Sequence, residues 1–299
     1  MAGAFDSMAF RFYKQERLRC GVRRIASEQV ARALAEIDDG QLPREKTVHQ
    51  VRKRCKKLRG VLRLIRPGMG KRYRREDALL RDAAGLLSGT RDLDVMLNTY
   101  EGLRTAADCG DDSTTFHDYV DSLRRERAVA TATEQERLTE FRHRMVALTD
   151  RIETWPVPAG GKKSVAAGFA RIYDKARRNM KAAYHRPSPE RFHEWRKQGK
   201  YHWYHLQLMR RLWPRVMKAL ASDASELSSL LGADHDLAVL IAHLPQAPLS
   251  ATQREALLVA ADARRTQLQS TARALGDRMF LAKPAVWEDL VRQLWKQTA

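Results

Sequence analysis

A spaced set of histidine, arginine and lysine occurs twice in the chain, 144 residues apart: His49-x-x-Arg52-Lys53-x-x-Lys56 and His193-x-x-Arg196-Lys197-x-x-Lys200. At about 100° per residue, an α-helix places the side chains of each set on one face. Cations and imidazoles gathered on one face attract anions and raise their local concentration. The repeated spacing therefore predicts one anion site built from two equivalent helices.

The first of these helices is rich in positive charge. Residues 44–66 contain ten lysines and arginines against one acid, Glu45. Like charges one turn apart destabilise a helix, so a purely structural helix would interleave glutamates. A solvated charged face is the alternative for a single helix of this kind, but duplication at matching positions favours a shared site. The same face continues to Arg63 in the first copy and to Tyr204 in the second.

Helical periodicity runs through the whole sequence. All ten prolines fall where an apolar spacing of three and four starts or stops, as expected at helix ends. Alternating strand patterns bounded by tight-turn signals do not occur. The sequence predicts an all-α protein with helices over residues 5–38, 44–66, 72–88, 91–106, 114–153, 163–184, 189–212, 215–231, 234–244, 250–276 and 284–297.

A second motif, Asp-Leu-x-Val, is repeated at the same offset, beginning at Asp92 and at Asp236. Upstream of it, Leu86-Leu87 aligns with Leu230-Leu231, so no insertion separates the two motifs. An aspartate at a predicted helix start accepts hydrogen bonds from backbone N–H groups. It can also orient the cations of a neighbouring helix through charge-assisted hydrogen bonds. Both roles are open for these two aspartates.

The strongest linker signal is Pro-Val-Pro-Ala-Gly-Gly at residues 156–161, a run of turn-forming residues near the middle of the chain. It separates a predicted first half-repeat, 1–155, from a second, 162–299. Both halves carry the two motifs, so we interpret 1–299 as a single domain with an internal repeat.

The composition limits the class of protein. The 299 residues include 55 Lys and Arg against 36 Asp and Glu, a formal net charge of +19, which indicates a polyanionic partner. Three cysteines without a C-x-x-C pair favour a reducing compartment. With no signal peptide pattern and no apolar run long enough to cross a bilayer, we expect a cytoplasmic protein with no membrane partner.

These motifs resemble the CHAD domains, all-helical histidine-containing domains that bind inorganic polyphosphate. The resemblance rests on the two basic helices, on Leu230-Leu231-Gly232-Ala233-Asp234-His235-Asp236-Leu237 and on its counterpart Arg91-Asp92-Leu93-Asp94-Val95, and it covers nearly the whole chain. It implies two pseudo-symmetric antiparallel four-helix bundles whose basic helices converge on a central basic groove or pore. The strand signature of the triphosphate tunnel domain that often accompanies this family is absent, so the chain looks like a stand-alone binder.

The resemblance also implies the ligand and its contacts. The implied partner is inorganic polyphosphate. The basic faces offer neither a set of acidic metal ligands nor an activated nucleophile, so we expect binding without a cofactor, a metal or catalysis, and association with polyphosphate granules. The resemblance implies that eight matched positions bind polyphosphate: His49, Arg52, Lys53, Lys56, His193, Arg196, Lys197 and Lys200. The same helix faces add Arg59, Arg63 and Tyr204 to the predicted polyphosphate-binding residues. Additional predicted site residues are Lys57, Arg171, Lys175, Arg178, Asp92 and Asp236.

Because imidazole donates more strongly to phosphate oxygens once it is protonated, binding is predicted to tighten from pH 8 to pH 6 as His49 and His193 become charged.

Three other classes of function share some of these sequence features. A nucleic-acid-binding protein shares the charge signature and is the runner-up, although aromatic residues are only 7% of the chain and do not interleave with the basic side chains as in single-strand binders. Glu190-x-x-His193 has the spacing of a helical di-iron site, but the neighbouring cations would repel a metal ion. Histidine phosphotransfer fits a helical bundle, whereas two equivalent histidines in a dense cationic field fit binding better.

Overall fold

Eleven α-helices make up the structure, a computed structural model that describes residues 10–107, 113–157 and 161–297. No β-strand occurs within these ranges, which confirms the predicted all-α class. The helices are α1 (Leu18–Asp38), α2 (Arg44–Met69), α3 (Arg72–Gly85), α4 (Gly89–Ala107), α5 (Ser113–Ala132), α6 (Glu134–Glu153), α7 (Lys162–His185), α8 (Pro189–Leu208), α9 (Pro214–His243), α10 (Ala251–Met279) and α11 (Pro284–Gln297).

Eight of the eleven described α-helices pack in two sets of four. Helix α1 packs against α2 and α6, and α3 packs against both of those helices; α7, α8, α9 and α10 pack on one another in chain order. Helix α2 joins the two sets because it packs against α7 and α8, while α11 covers α7. The predicted internal repeat, its two-fold axis and the linker at 156–161 stay predictions, and residues 158–160 of that linker lie outside the described ranges.

Two hydrophobic cores hold these sets together. The main core runs across both sets of helices, from Val22 and Leu58 in the first to Phe169 and Leu227 in the second. A second, smaller core lies where α4 and α5 pack against α9 and α10, and Tyr119 lies fully buried in it. The second core therefore ties a hairpin from the first half of the chain to helices of the second half.

Helix α2 is fixed by two close crossings. A Cβ atom on Gly168 of α7 would overlap the carbonyl oxygen of Leu64, so only glycine allows α2 and α7 to approach this closely. A Cβ atom on Gly60 would lie 3.2 Å from the Cβ of Tyr204, which packs directly on α2 from α8. Both crossings set the position of the basic face of α2.

The predicted first helix begins too early. Helix α1 starts at Leu18, and the predicted residues 5–9 lie outside the described ranges. In the segment before α1, the Phe12 N–H donates to the carbonyl of Leu208 at 3.2 Å, and Gln15 has a φ of 58°. The segment is non-helical because it docks on the end of α8.

The predicted helix 114–153 is two helices. The break falls at Thr133, whose φ of −100° and ψ of 4° lie outside the α region. Helix α5 places Tyr119 in the second core, whereas α6 places Leu138 in the main core. The break redirects the chain from one core to the other, which periodicity within one segment cannot reveal.

The two predicted helices 215–231 and 234–244 form one continuous helix, α9. The stretch contains no proline after Pro214, so every N–H is available, and Gly232 lowers helix stability by only about 1 kcal/mol. Asp236 therefore lies inside α9, and the prediction that it caps a helix start is wrong. Asp92 lies in the first turn of α4, but its side chain is outside the described ones.

A search of the described helices finds none with the length and apolar content needed to cross a membrane.

Candidate functional site

A cavity of about 530 Å³ lies between α2, α8 and α9, with Val95 of α4 at its edge. Six of its twelve lining residues are lysine or arginine, two are histidine and one is an acid, Asp236. We call this cavity the groove. The predicted site residues that line it are Arg52, Lys56, Arg59, His193, Arg196, Lys197, Lys200 and Asp236.

Helix α2 supplies one wall of the groove. Arg52, Lys56 and Arg59 follow a spacing of four and three, which keeps them on one side of the helix, while Val51 and Leu58 on the other side are fully buried. The Arg52 Nη1 atom donates to the carbonyl of Ala84, at 2.8 Å, near the end of α3. Packing of the apolar side therefore turns the basic side toward the groove.

Helix α8 supplies the opposite wall. It starts at a well-formed N-cap, where the Ser188 hydroxyl accepts from the Arg191 N–H at 3.4 Å and Pro189 occupies the first turn. Lys200 lies over Trp203, with 3.9 Å from Nζ to the ring centroid. Lys197 is exposed, and its Nζ is 2.6 Å from a carboxylate oxygen of Glu194. The two helices thus present lysine and arginine to the same space.

A shared carboxylate holds the arginine end of the groove. Asp77 of α3 accepts from Arg59 Nε at 2.9 Å and from Arg63 Nη1 at 2.6 Å. The Arg63 guanidinium also lies 3.9 Å above the ring of Tyr201, which lines the groove. Although burial acts in the opposite direction, the two guanidinium groups hold the pKa of Asp77 below its ordinary value. Arg59 is therefore fixed in place at the groove, while Arg63, one turn further along α2, is not among the residues that line it.

Two histidines that line the groove are in contact with each other. The ring centroids of His193 on α8 and His235 on α9 are 4.3 Å apart. Burial is the largest cause of the lowered pKa of both rings, and the positive charge of Arg196 adds to it. Lys56 contributes as well, and the pKa of His235 falls to about 4. Both imidazoles are therefore mostly neutral at pH 7 in the free protein.

Five predicted residues of α2 and α8 do not line the groove. His49 is exposed near the start of α2, and Lys53 is half-buried. Tyr204 is only 1% exposed and fills the crossing of α2 and α8. Arg63 is held by Asp77 and by the ring of Tyr201. Lys57 points to the other side of α2, where its Nζ is 4.7 Å from the ring centroid of Phe10 and burial lowers its pKa to about 7.

The predicted residues of α7 form a separate group. Arg171, Lys175 and Arg178 line another cavity, of about 440 Å³, together with Asp174 of the same helix and Glu288 of α11. Their stripe along α7 is present as the sequence spacing predicts, but it does not line the groove.

His235 and Tyr201 line the groove and were not among the predicted ligands. The sequence predicts a helix start beside His235, at residue 234, whereas α9 is continuous there, and this continuity places the ring beside His193 of α8. Tyr201 follows Lys197 by four positions, and helical spacing alone would have placed it near the basic face. Within the described ranges, no group of three or more His, Cys, Asp or Glu side chains is arranged to hold a metal ion.

The fold and the groove together define an all-helical domain with a cationic cavity between helices from both parts of the chain. Residues 24–245 match the sequence model of the CHAD domain. The chain therefore belongs to the CHAD domain family.

A solved structure shows the same fold. The chain is similar to the crystal structure of the CHAD domain from the plant Ricinus communis, with a TM-score of 0.58 and 18% sequence identity, and the match covers 95% of this chain and 94% of that one. At this identity the likeness concerns the fold alone. Comparison with curated protein sequences finds no significant match.

Proposed function

We propose that the groove binds inorganic polyphosphate and that the protein is a non-enzymatic polyphosphate-binding protein. The observation that carries the proposal is the set of six cations, from α2 and α8, that line one cavity with a single carboxylate. Polyphosphate is the ligand that the resemblance to CHAD domains implies.

The chemistry of the groove suits a flexible polyanion. A concave surface lined by one sign of charge concentrates counter-ions and increases their rate of association. Each lysine or arginine that contacts a phosphate releases counter-ions condensed on the polyanion. The binding affinity therefore falls as the salt concentration rises. Arginine offers forked donors to phosphate oxygens, and lysine offers a point charge that adapts to a mobile chain. The groove contains three of each.

The test is competition for immobilised long-chain polyphosphate by duplex DNA, single-stranded RNA and orthophosphate, at about 150 mM salt so that distant surface charges are screened. The groove variant is Lys56→Glu, Lys197→Glu, because both lysines line the cavity. We expect polyphosphate to be preferred by orders of magnitude and the groove variant to lose it.

The matched control is Arg215→Glu, Lys218→Glu, which makes the same charge change on exposed residues of α9 that line neither cavity. The control should bind polyphosphate almost as the wild type does. If nucleic acid competes equally and the groove variant binds as before, the proposal is wrong, and the runner-up, a nucleic-acid-binding protein, takes its place.

The absence of catalysis is part of the proposal. The residues lining the groove include no serine, threonine or cysteine and only one carboxylate, whereas phosphoanhydride hydrolysis normally requires an activated nucleophile or several acidic metal ligands. We expect no release of orthophosphate when the protein is incubated with polyphosphate and divalent cations. Steady release that is lost in the groove variant would make the protein an enzyme.

Binding to long chains would place the protein on polyphosphate granules in the cytoplasm. A fluorescent fusion of the wild type should gather at granules, whereas the groove variant should stay diffuse. Equal recruitment of both proteins would contradict this part of the proposal.

A further inference from the structure

A second cationic cluster lies on α7 beside the end of α2. It consists of Arg171, Lys175 and Arg178, which line the cavity of about 440 Å³, and of Arg66, whose charge lowers the pKa of Arg171 and of Lys175. The ring of Tyr73 lies 4.4 Å from the Arg66 guanidinium. We call these four cations the α7 cluster.

The α7 cluster has four cations, and the cavity lining contains two carboxylates, Asp174 and Glu288. Arg178 pairs with Asp174 of the same helix, at 2.9 Å. Arg66, Arg171 and Lys175 have no ion pair with a carboxylate among the residues that the structure describes. Burial is the largest cause of the lowered pKa of Lys175, and the nearby arginines lower it further. Cations that repel one another beside a cavity are stabilised when an anion enters it.

The α7 cluster is connected to the groove through one side chain. Arg63 shares Asp77 with Arg59, a groove residue, and stacks on Tyr201, another groove residue. The charge of Arg63 also lowers the pKa of Lys175. Positive charge therefore continues from the groove along α2 to α7.

We propose that the α7 cluster is a second phosphate-binding surface, which contacts the part of an inorganic polyphosphate chain that extends beyond the groove. This inference rests on the proposed function. Short polyphosphates fill the groove alone, whereas long chains contact both surfaces.

The test compares tripolyphosphate with long-chain polyphosphate in wild type and in Arg171→Gln, Lys175→Gln. Arg171 is exposed and Lys175 half-buried, and circular dichroism and the unfolding midpoint establish that the variant is folded. On single-stranded nucleic acid, each phosphate contact makes the fall of log affinity with log salt steeper by about 0.7. We apply the same value to polyphosphate. Loss of two contacts in the variant should make the salt dependence of long-chain binding less steep by about 1.4. Tripolyphosphate binding should be unchanged.

The matched control is Arg215→Gln, Lys218→Gln, which should leave the slope for long chains as in wild type. A long-chain slope that is equal in the α7 variant and the control would overturn the inference, and so would an equal loss of tripolyphosphate binding. Failure of the proposed function is a separate result, because the groove variant Lys56→Glu, Lys197→Glu would then keep both ligands.

Discussion

The histidine pair in the groove changes the expected pH dependence of binding. His193 and His235 are mostly neutral in the free protein at pH 7, because burial and the surrounding charges of Arg196, Lys197 and Lys56 lower the pKa of His193 and similar causes lower that of His235 to about 4. A bound polyanion favours the charged rings and raises both pKa values. The affinity gained from protonation of the two rings is fully present below their pKa values in the free protein. It is lost as the pH rises through their higher pKa values in the complex.

We therefore expect little change in polyphosphate affinity between pH 8 and pH 7 and a steady increase as pH falls from 7 toward 5. The measurement is a titration with long-chain polyphosphate, whose internal phosphates stay ionised over this range. His193→Gln, His235→Gln should flatten the profile. A double variant that keeps the wild-type profile would assign the pH dependence to other groups. An increase in affinity confined to pH 8 to 6 would favour the hypothesis from the sequence, in which His49 and His193 become charged over that range.

Two other histidines, His202 and His205, make stability depend on pH. Both are buried and have a pKa lowered to about 3, chiefly by burial. The His205 ring is 3.0 Å from the carbonyl of Gly60 through Nε2. Each stabilises the folded state fully above the unfolded pKa of about 6.5 and loses that contribution as pH falls toward 3.

We expect the free energy of unfolding to decrease by about 2 kcal/mol per histidine between pH 7 and pH 5. His202 lies among aromatic rings, with centroids 5.3 Å from Phe169 and 5.4 Å from Tyr173. His202→Phe should therefore remove about half of the acid dependence. Urea unfolding at pH 7 and pH 5 measures the free energy of unfolding at each pH. If the variant shows the same difference between the two pH values as the wild type, His202 is not one of the groups responsible.

At the scale of helices, the α2–α7 crossing is the most sensitive contact. Gly168→Ala would place a methyl group against the carbonyl oxygen of Leu64, and overpacking of this kind typically costs about 1–3 kcal/mol, or more where backbone must move. We expect a clear loss of unfolding free energy, measured by urea denaturation, and weaker polyphosphate binding because α2 carries one wall of the groove.

The control for this prediction is Gly102→Ala in α4, where nothing lies within 4 Å of the added methyl group. Alanine is favoured over glycine inside a helix by about 0.5–1 kcal/mol, so the control should be neutral or more stable. Equal stability of Gly168→Ala and wild type would mean that the two helices separate easily.

Helical periodicity predicts elements well where a segment packs in one core and poorly where it does not. Helices α2 and α7 start and end within three residues of their predicted bounds, because their apolar spacing is set by a continuous buried side. The break at Thr133 depends on a second core made by distant segments. The docking of residues 10–17 on α8 likewise depends on a partner far along the chain.

The same distinction applies to the site. Arg52, Lys56 and Lys200 could be placed on basic faces because helical spacing acts within one helix. His235 enters the groove only through the packing of α9 against α8, which spacing does not report. The touching positions Gly60 and Tyr204 are equivalent in the predicted repeat, and such a contact is expected where a two-fold axis passes between helices; the repeat itself stays a prediction.

For the whole molecule, the two cores predict that the half-repeats depend on each other. The main core joins residues of both halves, and the second core places α4 and α5 on α9 and α10. Chains 1–155 and 162–299 expressed separately should lack cooperative unfolding, since each would expose large apolar surfaces. The full chain should unfold in one transition by circular dichroism and fluorescence.

Mixing the two separate chains is the matching control, because complementary fragments should regain part of the cooperative transition. A half that unfolds cooperatively by itself would contradict this prediction and would favour two independent domains.

The Asp77 contact has a consequence for the thermodynamics of ligand capture. Arg59 is already immobilised by a carboxylate, and Arg52 is immobilised by the carbonyl of Ala84, so these long side chains lose little rotamer entropy when a ligand arrives. Ordering a free side chain of this type costs about 0.5–1.5 kcal/mol on association. The arginine side of the groove is thus preorganised, and Lys197, exposed on the other side, supplies the adaptable contact.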